Sequence, residues 1–206
     1  MNLDYTVLID IIGTVAFALS GFIVAAKERL DILGILVVSY VTAFGGGVIR
    51  DLLVDRPPFI FSETYPITVV FITILIAFIF KLHNRTKLTN NYIFYLSDSM
   101  GLSLFAYTGA TIGLEYNFNF GGVVFLSFLT AVGGGIIRDI ILNKIPFILT
   151  NDFYGTIAIV VGILVWTLSQ YSLINPFSTI SVLVLGVIMR LLAIRFQWKL
   201  PKLVNK

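Results

Sequence analysis

With 206 residues, 58% of them hydrophobic and 12% charged, and a mean hydropathy of +0.97, the chain lies outside the range of soluble domains, which are about 45–50% apolar and about 25% charged. The lack of cysteine excludes disulfides, iron–sulfur centres and thiolate zinc sites. The net charge of +3 calls for no nucleic-acid partner, because the basic residues fall between and after apolar stretches, where the positive-inside rule accounts for them.

The pattern predicts an all-α polytopic membrane protein forming a single membrane domain over 1–206. Spans are expected at 5–26, 32–53, 65–81, 91–114, 121–142, 153–170 and 177–196. The first has no basic residues ahead of it and exceeds a signal-peptide core in length, so it reads as a retained helix. Seven crossings put the termini on opposite sides. Lys27, Arg29, Lys81, Arg85, Lys87, Lys144, Arg195, Lys199, Lys202 and Lys206 then share one side, which predicts an outside N-terminus and a cytoplasmic C-terminus in a plasma (inner) membrane. Lys81, Arg85, Lys87 and the basic tail are candidates for contact with membrane lipids. His83, the only histidine, sits in a charged loop and reads as solvated.

The chain repeats itself. Gly45-Gly46-Gly47-Val48-Ile49-Arg50-Asp51 recurs as Gly133-Gly134-Gly135-Ile136-Ile137-Arg138-Asp139, and the same offset pairs Asp10 with Asp98, Gly13 with Gly101, Phe17 with Phe105, Ser20 with Thr108, Thr42 with Thr130, Arg56 with Lys144, and Pro58-Phe59-Ile60 with Pro146-Phe147-Ile148. Repeat one covers 5–82 and repeat two 91–170, with 177–196 left unmatched. Three helices is an odd number, so the second unit enters the membrane from the other side and the repeats are inverted, as in many transport proteins.

Three successive glycines in a span cost roughly 1 kcal/mol each relative to alanine. Successive residues are about 100° apart around a helix, so the three cannot all face one neighbour. That predicts a helix break at each triplet, whose freed carbonyls line an ion path from Thr42, Ala43, Phe44, Gly45, Gly46 and Gly47 in one unit and Thr130, Ala131, Val132, Gly133, Gly134 and Gly135 in the other. Potassium or sodium would be held transiently by backbone carbonyls near Thr42 and Thr130. The isolated small residues Gly13, Ala18 and Gly21 read as packing positions. Charges inside spans predict a mouth cluster of Asp10, Arg50 and Asp51 on the outer side and one of Asp98, Arg138 and Asp139 on the inner side. Either could serve the path or only fix helix packing.

At these residues the chain resembles the prokaryotic branch of the trimeric intracellular cation (TRIC) channel family, also catalogued as glycine-transporter membrane proteins. The resemblance implies a homotrimer with an hourglass pore in each protomer, lined mainly by spans one, two, four and five, permeable to potassium and other monovalent cations and needing no cofactor. The other reading of the broken helices is a secondary transporter of a small zwitterion such as glycine, whose carboxylate would meet free amide groups. No Ser/His or His/carboxylate constellation supports an enzyme.

Overall fold

The computed structural model describes residues 3–84, 87–150 and 153–199. The basic residues Arg85, Lys202 and Lys206 lie outside them. Nine α-helices are seen among the described residues: α1 (Leu3–Lys27), α2 (Ile32–Leu53), α3 (Phe59–Ser62), α4 (Tyr65–Ile79), α5 (Lys87–Glu115), α6 (Phe120–Ile141), α7 (Phe147–Thr150), α8 (Tyr154–Gln170) and α9 (Pro176–Arg195). Helices α1, α2, α6 and α9 are long and apolar enough to cross a membrane, and α4 and α8 are shorter apolar helices. Helix α5 is the longest, yet buries Ser97, Asp98, Ser99, Ser103, Thr108 and Thr111. It is the polar centre of the bundle, packed against α1, α6, α8 and α9.

Local structure repeats at the sequence offset. Asp31 caps α2 by accepting from the Gly34 N–H at 2.7 Å, and Asn119 caps α6 by accepting from Gly122 at 2.9 Å. Arg29, Asp55, Asn117 and Asn143 take left-handed φ of 57°, 54°, 56° and 53° just beyond the ends of α1, α2, α5 and α6. Each lets the next amide reach back to a carbonyl five residues earlier, as in Arg56 N to Asp51 O (3.0 Å) and Lys144 N to Asp139 O (2.8 Å). Asp and Asn tolerate that region better than most residues. Asp51 Oδ2 then accepts from Phe59 N at 2.8 Å and Asp139 Oδ2 from Phe147 N at 2.7 Å, so each carboxylate pins the short helix that follows it.

The glycine triplets do not break their helices. Both α2 and α6 run through them uninterrupted, which corrects the expectation of two half-helices. The reason is an antiparallel crossing. A Cβ on Gly46 would stand 2.0 Å from the Thr130 carbonyl oxygen, and one on Gly134 would stand 2.1 Å from that of Thr42. Any side chain here would drive the helices apart, and close approach of small residues is what holds helices together in lipid. Gly45 also faces Gly134, and Gly133 faces Gly46. The third glycines turn elsewhere, Gly47 against the Phe59 ring and Gly135 toward the more distant Tyr154 hydroxyl, so three consecutive glycines need not share one neighbour.

A second crossing joins α1 to α5 in the same fashion. The Phe17 ring lies on Gly101 and the Phe105 ring near Gly13, and the two phenyls stack with centroids 5.2 Å apart and planes 10° from parallel. Gly21 packs on Thr42 and its counterpart Gly109 on Thr130, as small packing positions should. Helix α9 has no counterpart and packs mainly on α5 and α8.

Candidate functional site

Two charged clusters lie at the ends of this four-helix centre, and the repeat makes them comparable atom by atom. Arg50 and Asp51 share a 2.8 Å contact from Nε to Oδ1, and Arg138 and Asp139 share the same contact at the same length. All four are almost fully buried, as is Asp98, so they are not open mouths. The guanidinium carbon of Arg50 sits 5.5 Å from the Phe59 ring centroid, and that of Arg138 sits 5.5 Å from Phe94.

Beyond that core the halves diverge. Arg138 Nη1 donates to Ser20 Oγ (3.0 Å) and contacts Asp98 Oδ1 (3.4 Å), while Ser20 Oγ donates to the same Asp98 oxygen (3.0 Å). The expected Asp98 with Arg138 pair therefore exists. Its counterpart does not. Arg50 Nη1 reaches Thr108 Oγ1 at 3.5 Å, and no ion pair joins it to Asp10 among the described residues. Asp10 Oδ1 is buried and accepts no hydrogen bond among the described residues. Arg56 explains part of the difference: its guanidinium reaches Asp51 at 2.7 Å, whereas Lys144 at the equivalent position turns to Glu28 at 2.5 Å on the surface.

Asp10 faces a cavity of about 400 Å³, lined also by Arg56, Glu63, Tyr65, Thr111 and Glu115. A cavity of about 370 Å³ lies at the other end of the molecule, beside Tyr95, Thr150, Arg190 and Lys199. Tyr95 is near the start of α5 and Thr111 near its end, about 24 Å apart along the axis at 1.5 Å per residue. Between these levels the Phe17 and Phe105 stack and the glycine crossing are closely packed.

The other expected path residues are not arranged as the broken-helix reading requires. Thr42, Ala43, Phe44, Gly45, Gly46 and Gly47 are buried, as are Thr130, Ala131, Val132, Gly133, Gly134 and Gly135, and none lines either polar cavity. The Thr42 hydroxyl donates back to Val38 O (2.7 Å) and the Thr130 hydroxyl to Leu126 O (2.6 Å). The Thr42 and Thr130 carbonyls face the glycines of the opposite helix, not a channel. Among the described residues no group of three His, Asp or Glu converges on a metal-sized site.

One charged residue of the site escaped the sequence reading. Arg190 of α9 is buried, with its guanidinium carbon 4.8 Å from the Tyr154 ring centroid and 5.5 Å from Phe147. Tyr154 lies within electrostatic reach of Asp98, Arg138 and Arg190. The signal was present, since an arginine inside an apolar span is a functional candidate by default. It has no repeat partner, because α9 lies outside both repeat units.

The profile described as Glycine transporter matches residues 7–82 and 95–170, the two repeat units in turn. The inner membrane protein YadS of Escherichia coli is 35% identical over 198 residues, spanning 94% of this chain and 93% of the relative. A membrane protein of Deinococcus radiodurans is 40% identical over 174 residues, 82% of this chain and 78% of that one. The chain belongs to the prokaryotic TRIC family. Among solved structures, one that addresses conductance through TRIC cation channels superposes with a TM-score of 0.85 at 33% identity over 100% of this chain and 99% of that one. A prokaryotic TRIC channel gives 0.86 at 30% identity, with 95% and 98% covered. The TRIC orthologue of Rhodobacter sphaeroides gives 0.86 at 27% identity, with 94% and 99% covered.

Proposed function

We propose that this TRIC family member is a cation channel of the prokaryotic inner membrane, potassium-permeable, with a path in each protomer of a homotrimer. Helices α1, α2, α4, α5, α6, α8 and α9 act as spans, three in each of two inverted units plus α9, with the N-terminus outside and the C-terminus cytoplasmic. The observation that carries the reading is the pair of polar cavities toward opposite ends of α5, with the closely packed crossings of α1, α2, α5 and α6 between their levels. The superposition on TRIC cation channels along nearly the whole chain supports it.

In this reading the structure is a closed state. Cations gather in the outer cavity, where Asp10, Glu63 and Glu115 outnumber Arg56, and the part-desolvated Asp10 carboxylate attracts them strongly because its oxygen has no fixed donor. Conduction requires the Phe17 and Phe105 rings to separate and the glycine crossing to loosen. Helix contacts made largely by glycine backbone, with Ile49 and Ile137 as the side chains set against it, suit such sliding. The clusters of Asp10, Arg50, Asp51, Asp98, Arg138 and Asp139 bracket the constriction and hold its helices in register.

Reconstitution in liposomes tests this directly. Potassium flux with single-channel steps, reduced by Asp10→Asn, is the expected outcome. Saturable uptake of labelled glycine without such steps would overturn the channel reading in favour of a carrier.

A further inference from the structure

One exchange between the repeats decides which aspartate meets water. Thr6, Asp10 and Phe59 all line the outer cavity. The repeat offset puts Phe94, Asp98 and Phe147 at the same positions in the second unit. None of these three is among the described residues that line the second cavity, although Tyr95 and Thr150 line it at the positions that Val7 and Ser62 hold in the outer one. The second cavity stops short of its aspartate.

Phe94 stands in the way. It is 8% exposed, and its ring centroid lies 5.5 Å from that of Tyr95, on the cavity wall, and 5.8 Å from that of Phe147. Two cations lie against the same ring, the Arg138 guanidinium carbon at 5.5 Å and the Lys27 ammonium at 5.6 Å from the centroid. Arg138 is buried in the Asp98 cluster, whereas Lys27 ends α1, is partly exposed, and donates to Asn91 Oδ1 at 2.6 Å. The ring thus reaches from the buried cluster toward the surface and fills a place where the other unit has only a threonine. A phenyl ring offers water no hydrogen bond, and an apolar constriction of this kind excludes water and ions until it moves.

We propose that Phe94 is a gate at this end of the ion path. In place, the ring seals Asp98 from the second cavity. When it swings aside, Asp98 faces that cavity as Asp10 faces the outer one, and the gate acts in series with the stacked Phe17 and Phe105 rings. Its role as a gate rests on the channel reading, whereas the seal is a property of the packing alone.

Thiol access and ion flux, both measured on the full-length protein, test the proposal. The chain has no cysteine, so Ser20→Cys and Thr108→Cys each carry a single thiol at equivalent positions, the first beside Asp98 and the second on the outer cavity. A small water-soluble methanethiosulfonate should modify the Thr108→Cys protein readily and the Ser20→Cys protein about tenfold more slowly, since buried sites react only through local opening. Adding Phe94→Thr, the residue of the other unit, should raise the Ser20→Cys rate about tenfold and leave the Thr108→Cys rate unchanged. Phe94→Leu keeps an apolar side chain in the core, so it reads the same effect where the threonine variant fails to fold, at about threefold. Equal Ser20→Cys rates with and without the ring overturn the proposal. In liposomes, Phe94→Thr and Phe94→Leu on the cysteine-free chain should both raise potassium flux. Native flux that neither variant raises would sink the gate and leave the channel reading intact. Thiol access gained with no flux from any variant would sink the channel reading and leave the seal standing.

Discussion

The same aspartate stands at the same register in both halves of the molecule, and only one of the two is paired. Asp98 is held by Arg138 and Ser20, while Asp10 looks into a cavity with its inner oxygen unengaged. Small substitutions between the repeats produce the difference. Arg56 reaches into the first cluster where Lys144 turns out of the second, and Thr108 stands where the other half has Ser20. A duplicated scaffold thus gives one end a locked charge pair and the other an available carboxylate. The glycine crossing, by contrast, is almost perfectly two-fold: a Cβ on Gly46 would meet the Thr130 carbonyl as closely as one on Gly134 would meet that of Thr42. Symmetry is kept where two backbones touch and lost where charges meet water.

The sharpest way to break this comparison is to neutralise each aspartate in turn. Asp98→Asn leaves Arg138 buried beside a neutral amide, and removing one partner of a buried pair costs about 3–5 kcal/mol. Asp10→Asn removes a partly buried charge that has no fixed donor, so it should stabilise the fold, by on the order of 1 kcal/mol. Thermal unfolding of the purified variants reads both. Equal shifts of the same sign would mean that the two carboxylates are equivalent and the asymmetry unimportant.

The symmetric part makes the opposite demand. Gly46→Ala and Gly134→Ala each put a methyl into a facing carbonyl, and backbone cannot swing aside as a side chain can. Each should cost about 3 kcal/mol, at the upper end for overpacking, and the two losses should agree within about 0.5 kcal/mol. Fraction folded after heating, measured by size-exclusion chromatography, checks this. A tolerated alanine at either position would show that the helices do not meet through these residues.

The helices and their order were legible because hydropathy and the 88-residue offset are properties of the chain alone, and the expected spans fall within a few residues of α1, α2, α4, α5, α6, α8 and α9. The Asp98 with Arg138 pair was legible for the same reason, as two charges at matching depth in neighbouring spans. The helix break was not. Glycine triplets weaken a helix and also allow two helices to touch, and local propensity cannot choose between these without knowing that Thr130 faces Gly46. Arg190 went unseen because the repeat gave it no partner, and the loss of the Asp10 pair depended on which way the Arg56 and Lys144 side chains turned.

The finest test lies within the triplets, at the one pair of equivalent glycines whose surroundings differ. A Cβ on Gly47 would come within 2.5 Å of the Phe59 ring, whereas one on Gly135 would find its nearest neighbours, the Tyr154 hydroxyl and Arg138, at 3.7 and 3.8 Å. Phe59 is also held from behind, since its N–H is bound to Asp51 and its ring meets both Phe44 and the Arg50 guanidinium. Gly47→Ala must therefore displace a ring that three contacts hold in place, at a cost of about 1 kcal/mol. Gly135→Ala enters ordinary van der Waals space and removes a helix-interior glycine, so it should raise stability by about 0.5–1 kcal/mol. Opposite signs from the same substitution at equivalent positions would locate the departure from two-fold symmetry at the step where the triplet leaves the helix crossing for the charged cluster. Equal penalties would move it farther out, to Arg56 and Lys144.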